Sequence, residues 1–308
     1  MKVYRNIDDL PIFSKAVITT GSFDGVHTGH VQIINQLLKE AEKINGTPVL
    51  ITFYPHPKQI VQMEEKVLHI LNTPDEKYKL LKGNGIKNIV VVPFTKSFSE
   101  LSANEYIKNF LIEKFKPAVI VVGYDHRFGN NREGNFTLLK TKENTYNFEV
   151  KEIPEHVLKN ITISSTKIRA AILDGDIEKA ATYLGYNYFF NARIIEGNKL
   201  GRTIGYATAN LQIEDEHKLI PANGVYAVDV EYKDRMLKGM MNIGIRPTID
   251  GKKRTIEVNI FDFDEVIYAE IIKVTLKKRL RAEIKFDGLD ALKNQLALDA
   301  VSAKTFNE

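Results

Sequence analysis

The sequence has no cysteine. That removes disulfides, thiolate catalysis and cysteine-ligated zinc. Long apolar runs are also missing. The most extended, residues 89–92 and 118–122, are far too short to cross a bilayer. The first eleven residues mix Lys2, Arg5, Asp8 and Asp9 with apolar residues and lack the continuous apolar core of a secretory signal. A cytoplasmic protein is therefore expected. Strong charge of one sign is lacking too: the net charge is +4 over 308 residues, with no basic run and no RNA-binding aromatic signature. Anionic small molecules are expected as partners ahead of nucleic acid or a membrane. No internal repeat or low-complexity tract is present, and no pattern signals an oligomeric state.

What the chain does contain suits two domains. At about 100–200 residues per domain, this length predicts two, and 44% hydrophobic residues supply two cores. The first half alternates apolar runs at 16–20, 49–53, 89–92 and 119–122 with helical patterns at 31–38 and 103–115. Such runs imply a parallel sheet covered on both faces, a Rossmann-like α/β domain to residue 186. Ligands on such sheets bind beyond the carboxyl ends of the strands. Two short helices, 166–173 and 177–184, close this part. Residues 187–308 then favour strands and turns at 189–195, 224–230, 238–243, 255–261 and 267–276, with a helix at 289–300 to end. A small antiparallel barrel with a terminal helix is expected there.

The sharpest motif is GSFDGVHTGH at 21–30, where a strand gives way to a helix. N–H groups at a helix start carry partial positive charge. Gly21, Gly25 and Gly29 let the backbone approach a ligand closely. His27 and His30, three apart, share one face of the first turn. Together with Phe23 and Asp24 the segment suits ATP phosphates and nucleotidyl transfer, which needs alignment and charge stabilisation rather than a protein nucleophile. A plain helix cap, or a histidine metal pair, is the simpler alternative; no third metal ligand is positioned by the sequence. A second phosphate candidate is ISSTKIR at 163–169. Ser164, Ser165 and Thr166 can cap a helix or clasp a triphosphate, and Arg169 adds a planar cationic fork.

In the second half, GRTIGYATAN at 201–210 places Thr208 and Asn210 two apart, so that in an extended segment both point the same way. Their oxygens suit Mg²⁺ beside nucleotide phosphates. Gly201 and Gly205 suit a backbone pressed against a ligand. Glu257 lies in the strand TIEVN, facing away from Ile256 and Val258, where a carboxylate can accept a hydroxyl proton. A solvated strand charge is the ordinary role of such a residue.

In order along the chain, GSFDGVHTGH, TFYPHP at 52–57, VGYDHRFG at 122–129 and ISSTKIR resemble the FMN adenylyltransferase module of the bacterial bifunctional riboflavin kinase/FAD synthetase family. GRTIGYATANL, GVYA at 224–227, NIGIRPT at 242–248, the Glu257 strand and RAEIKF at 281–286 resemble the riboflavin kinase module of the same family. The resemblance implies Mg²⁺–ATP, riboflavin, FMN and FAD as ligands. It implies adenylyl transfer with His27 and His30 at the phosphates, and flavin near His56, Asp125, Arg127 and Phe128. It implies kinase chemistry with Glu257 as base, Thr208 and Asn210 on the metal, and Gly201, Arg202, Gly205 and Arg281 around the ligands. Three positions depart from the pattern: His126 stands for the usual Phe, Ala207 for the usual Pro, and Asn259 where His is common. A chain with one active site, a non-catalytic flavin binder, and a nucleotidyltransferase for another acceptor remain as alternatives.

Overall fold

The computed structural model describes all residues except 62–67, 154–162, 198–204, 249–250 and 307–308, and leaves aside the side chains of 246–248 and 251–253. The chain divides into two compact units, Met1–Ser164 and Ser165–Glu308.

The first unit is built on six parallel strands: β1 (Lys2–Tyr4), β2 (Val17–Thr20), β3 (Pro48–Tyr54), β4 (Asn88–Pro93), β5 (Val119–Gly123) and β6 (Glu149–Ile153). Their order is β1-β4-β3-β2-β5-β6. The period of two along each strand feeds two cores. Ile18, Ile51, Val90 and Ile120 face one layer; Val17, Leu50, Ile89 and Val119 face the other. The four central strands coincide with the apolar runs. The edges β1 and β6 do not show as such runs, because polar and exposed residues interrupt them, as in Glu-Val-Lys-Glu-Ile, where only Val150 and Ile153 are buried.

Helices α1 (Thr28–Ile44), α2 (Pro57–Val61), α3 (Pro74–Gly83), α4 (Lys96–Ser99), α5 (Ala103–Glu105), α6 (Glu113–Phe115) and α7 (Phe136–Tyr146) connect the strands. α1 buries Ile34, Leu37 and Ala41. Between α5 and α6 the segment Tyr106–Ile112 is wound as a π-helix and buries Tyr106, Ile107, Phe110 and Leu111. The chain steps from β2 to β3 to β4, then crosses back to place β5 on the other side of β2. The crevice at the carboxyl ends of β2 and β5 is thus the topological switch point, where open α/β sheets bind ligands.

The second unit opens with α8 (Ser165–Asp174) and α9 (Ile177–Leu184). Hydrogen bonds join α8 to later residues of the unit: Ala222 N donates to Ile172 O at 3.2 Å, and Arg279 Nη1 donates to Asp174 O at 3.3 Å. Six strands come next: β7 (Phe189–Ile195), β8 (Ala209–Gln212), β9 (Gly224–Tyr232), β10 (Arg235–Thr248), β11 (Gly251–Ile260) and β12 (Ile271–Arg281). They close a barrel in the order β10-β11-β8-β7-β12-β9, antiparallel throughout. Tyr226, Val228, Met241, Val258, Ile272 and Val274 are among its fully buried residues. β8 is only four residues long and comes after a glycine-containing loop, so its strand pattern is too short to read from the sequence.

The terminal helix α10 (Leu289–Phe306) is fastened by one ion pair. Asp299, 3% exposed, accepts from Arg281 Nε at 3.0 Å and Nη2 at 2.7 Å, and from Gln295 at 2.9 Å. Asp299→Ala strands the guanidinium in a largely dry site and is expected to cost about 3 kcal/mol, measured by urea unfolding. A loss below about 1 kcal/mol, the scale of an exposed pair, would contradict this account.

Candidate active sites

The loop of residues 21–30 carries the first site. His27 is the N-cap of α1: its Nδ1 accepts from His30 N at 3.4 Å, and its carbonyl accepts from Val31 N at 3.0 Å. An accepting Nδ1 leaves Nε2 as the donor in the neutral ring. The His30 ring stacks on His27 at 3.7 Å with 17° between planes. Burial, the charge of His27 and then the charge of Lys77 hold the His30 pKa well below its ordinary value. His30 is therefore neutral near pH 7 and acts as a hydrogen-bonding imidazole. Gly29 makes room for this pair, since a Cβ there would press on the His27 ring at 3.2 Å. Gly25 turns the loop at φ +87, and Phe23 and Val26 take positive φ values of +47 and +35 without being glycine. Such strain persists only where the surroundings enforce it, and it collects at functional sites.

Those surroundings are visible. Asp24, 3% exposed, accepts from Leu71 N at 2.9 Å and Asn72 N at 3.3 Å, so its carboxylate anchors the loop to the start of α3. Gly21 N donates to Ile51 O at 3.0 Å. Lys77, which no motif points to, lies beneath the loop. Its Nζ donates to Ser22 O at 3.2 Å and to Thr52 Oγ1 at 3.1 Å, while the Thr52 hydroxyl donates to the same Ser22 O at 3.1 Å. A buried lysine on an amphipathic helix is silent in sequence; only the fold brings it under the glycine loop.

The second loop at the switch point leaves the end of β5. Thr20, the last residue of β2, accepts from the Tyr106 hydroxyl at 3.2 Å and bonds His126 Nε2 at 3.3 Å. The Thr20 hydroxyl has a second lone pair and one proton, so it can meet His126 Nε2 in either tautomer of the ring. Burial lowers the His126 pKa to about 4, with Arg132 and Arg127 adding to the effect and Asp125 opposing it. Phe128 is buried and stacks on Tyr106 at 5.0 Å. Asp125 and Arg127 are exposed on the same loop. His56 comes directly after the cis Tyr54–Pro55 bond and accepts from Lys58 N at 3.2 Å, which gives it a local structural contact at the start of α2. The first unit thus gathers its two glycine loops at one crevice. Ser164 closes that unit, while Ser165, Thr166 and Arg169 lie in the first turns of α8.

In the barrel, register assembles the second site. Glu257 on β11 lies directly opposite Asn210 on β8 and Asn242 on β10. Directly opposed residues share a face, so three polar side chains form one row. Glu257 is 9% exposed. Asn210 sits against Gly197, where any Cβ would collide with its amide. Thr208 is two residues before Asn210, and Gly205 turns the preceding chain at φ +86. Asn259, two residues beyond Glu257, donates from Nδ2 to Ala207 O at 2.6 Å. Two of the departures noted in the sequence therefore meet: the asparagine holds the carbonyl of the alanine that replaces proline. Asn242 is a second residue that sequence reasoning missed as a site member; its register partner Glu257 was the available signal. Arg281 is engaged with Asp299, as described above. Gly201 and Arg202 lie outside the described residues. Among the described residues no cluster of three or more His, Asp or Glu is arranged to hold a metal. The hydroxyl and amide oxygens of Thr208 and Asn210 fit a hard cation whose remaining ligands are phosphate oxygens.

Known proteins resemble the chain from end to end. A family model described as FAD synthetase matches residues 10–167, and one described as riboflavin kinase matches residues 184–307. A bifunctional riboflavin kinase/FMN adenylyltransferase of Buchnera aphidicola subsp. Schizaphis graminum is 40% identical, with 99% of each chain covered. The protein of that name from Escherichia coli (strain K12) is 34% identical over 99% of this chain and 98% of its own. A crystal structure titled "Macrolide-efflux Protein from Streptococcus pneumoniae" matches with a TM-score of 0.88 at 34% identity, covering 98% of both chains. Among the described residues no helix is long and apolar enough to cross a membrane.

The buried Thr20 contact makes a direct prediction about His126. Its imidazole is expected to titrate near pH 4, far below the usual value of about 6.5. In NMR titrations its ring signals should stay those of a neutral imidazole from neutral pH down to about pH 5. A midpoint near the usual value would contradict the assignment.

Proposed function

This chain belongs to the bifunctional riboflavin kinase/FMN adenylyltransferase family, and from that premise we propose that its two reactions divide between the two sites described above. The chain is an enzyme of flavin cofactor synthesis. It phosphorylates riboflavin with ATP to give FMN, and it transfers adenylyl from a second ATP to FMN to give FAD and pyrophosphate. We assign adenylyl transfer to a module ending near residue 186 and phosphorylation to residues 187–308.

In the kinase reaction the ribityl 5′-oxygen attacks the γ-phosphorus, the bond to the β-phosphate oxygen breaks, and ADP leaves. Glu257 takes the hydroxyl proton. Its position in a row with Asn210 and Asn242 is the single observation that carries this role. Mg²⁺ held by Thr208, Asn210 and phosphate oxygens would supply charge neutralisation. Asn259 steadies that loop through Ala207 O. Gly201, Arg202 and Gly205 are assigned to ligand contact, and Arg281 to ligand-facing support of α10.

In the adenylyl transfer an FMN phosphate oxygen attacks the α-phosphorus, and the bond to the β-phosphate oxygen breaks. The nucleophile is already anionic, so no base is required. Gly21, Phe23, Asp24, Gly25 and Gly29 shape the loop. The helix N-terminus and the rings of His27 and His30 stabilise charge on the departing pyrophosphate. Phosphate would draw the neutral His30 toward its charged form. Ser164, Ser165, Thr166 and Arg169 are assigned to the triphosphate, and His56, Asp125, Arg127 and Phe128 to the flavin. His126, bonded to Thr20, orients this loop. A cytoplasmic enzyme working on small molecules, with neither nucleic acid nor membrane as partner, completes the reading.

Glu257→Gln should lower riboflavin phosphorylation roughly 100- to 10,000-fold, the usual worth of a general base, while conversion of supplied FMN to FAD stays at the wild-type rate. His27→Ala should do the reverse. Chromatography of the flavins reads both. Loss of both reactions in a folded Glu257→Gln variant would overturn the division of labour.

A further inference from the structure

The amine of Lys77 lies below the phosphate loop, 8% exposed, on α3. It and the Thr52 hydroxyl donate to one acceptor, the carbonyl of Ser22, and Lys77 also donates to Thr52. The Ser22–Phe23 peptide is trans, the one cis bond among the described residues being Tyr54–Pro55. In a trans peptide the C=O and the next residue's N–H point in opposite directions. A carbonyl drawn down toward Lys77 therefore sends the Phe23 N–H the other way, to the face of the loop opposite Lys77. The positive φ of Phe23 belongs to this turned peptide.

We propose that Lys77 is a positioning residue for adenylyl transfer: from beneath the loop it turns and polarises the Ser22–Phe23 peptide, aiming the Phe23 N–H at the phosphates of ATP. This rests on the assignment of adenylyl transfer to residues 21–30. A neutral donor would suffice merely to staple the loop. An ammonium in a dry site carries a desolvation cost that calls for anionic compensation. The Asp24 carboxylate attracts the amine and at the same time accepts from Leu71 N and Asn72 N. The other titratable groups facing the amine are His30 from α1, with His27 stacked on it; on its own helix, Glu76 caps Thr73 N. Asp24 offsets part of the cost of burying the ammonium, and an incoming phosphate adds several further negative charges.

Burial lowers the Lys77 pKa to about 8, against the opposing pull of Asp24. The working form is the protonated one, present below that pH and lost above it. In wild-type protein kcat/KM for ATP in the FMN-to-FAD reaction, which reports the free enzyme, should therefore fall as pH rises through about 8. Lys77→Arg, which keeps its proton over this range, should retain activity and lack that descending limb. Lys77→Met should lower kcat/KM for ATP on the order of 10- to 100-fold, the scale of a misplaced binding group, while riboflavin phosphorylation by the same molecules is unchanged. The kinase rate reports that the variant chain is folded and soluble, and a thermal melt reports the first unit. Unchanged kcat/KM in Lys77→Met, or a limb near pH 8 that persists in Lys77→Arg, overturns the proposal alone. Wild-type protein that makes FMN and no FAD overturns the site assignment and the proposal with it.

Discussion

The Thr20 hydroxyl joins three separate parts of the first unit at its working end. It terminates the central strand, accepts from Tyr106 in the π-wound segment, and bonds His126 in the loop beyond β5. The strand order makes this contact possible, because the chain reverses its direction of sheet-building between β2 and β5. Two loops that leave neighbouring strands for opposite sides must part there, and the gap between them is the crevice. A hydroxyl bonded to both partners fixes the gap on both sides at once. Burial keeps the Tyr106 phenol protonated and His126 neutral, so the junction carries no net charge of its own.

Around that junction the proposed adenylyl-transfer site offers fixed dipoles instead of a reactive side chain. A capped helix start, two stacked imidazoles and a loop held by Asp24 and Lys77 are set before any nucleotide arrives. Preorganised groups of this kind need no rearrangement as charge develops on the phosphates. The barrel solves a different problem. Its acceptor is a neutral hydroxyl that must lose a proton, and the carboxylate proposed to take it, Glu257, is held in register between two asparagines. On the proposed division of labour, one chain carries a site with a base and a site that has no use for one.

Much of this was legible in the sequence. Continuous apolar runs marked the central strands, and glycines after two of them marked the ligand loops. Thr208, Asn210 and Glu257 drew notice by residue type and alternation, and the resemblance to a kinase module gave them their expected roles. The edge strands β1 and β6 were missed because polar residues break the apolar run. The helical pattern at 103–115 gave no hint of its π winding, within which Tyr106 and Phe110 are buried. Lys77, Asn242 and the Asn259–Ala207 bond were missed for one common reason: each acts through a partner remote in the chain. Asp24 was read as a phosphate-site residue, and its carboxylate serves the loop through Leu71 and Asn72. The departures at Ala207 and Asn259 looked independent in the sequence; the structure joins them by a hydrogen bond.

The central claim is that two chemically distinct transfers, one of phosphoryl and one of adenylyl, occur on this chain. Isotopic labelling of ATP tests it most directly. Riboflavin is incubated with the protein and Mg²⁺, once with ATP labelled at the γ-phosphate and once with ATP labelled at the α-phosphate, and the flavins are separated. The account predicts γ-label in FMN and then in FAD, and α-label in FAD with none in FMN. FAD without α-label, or FMN without γ-label, would contradict it.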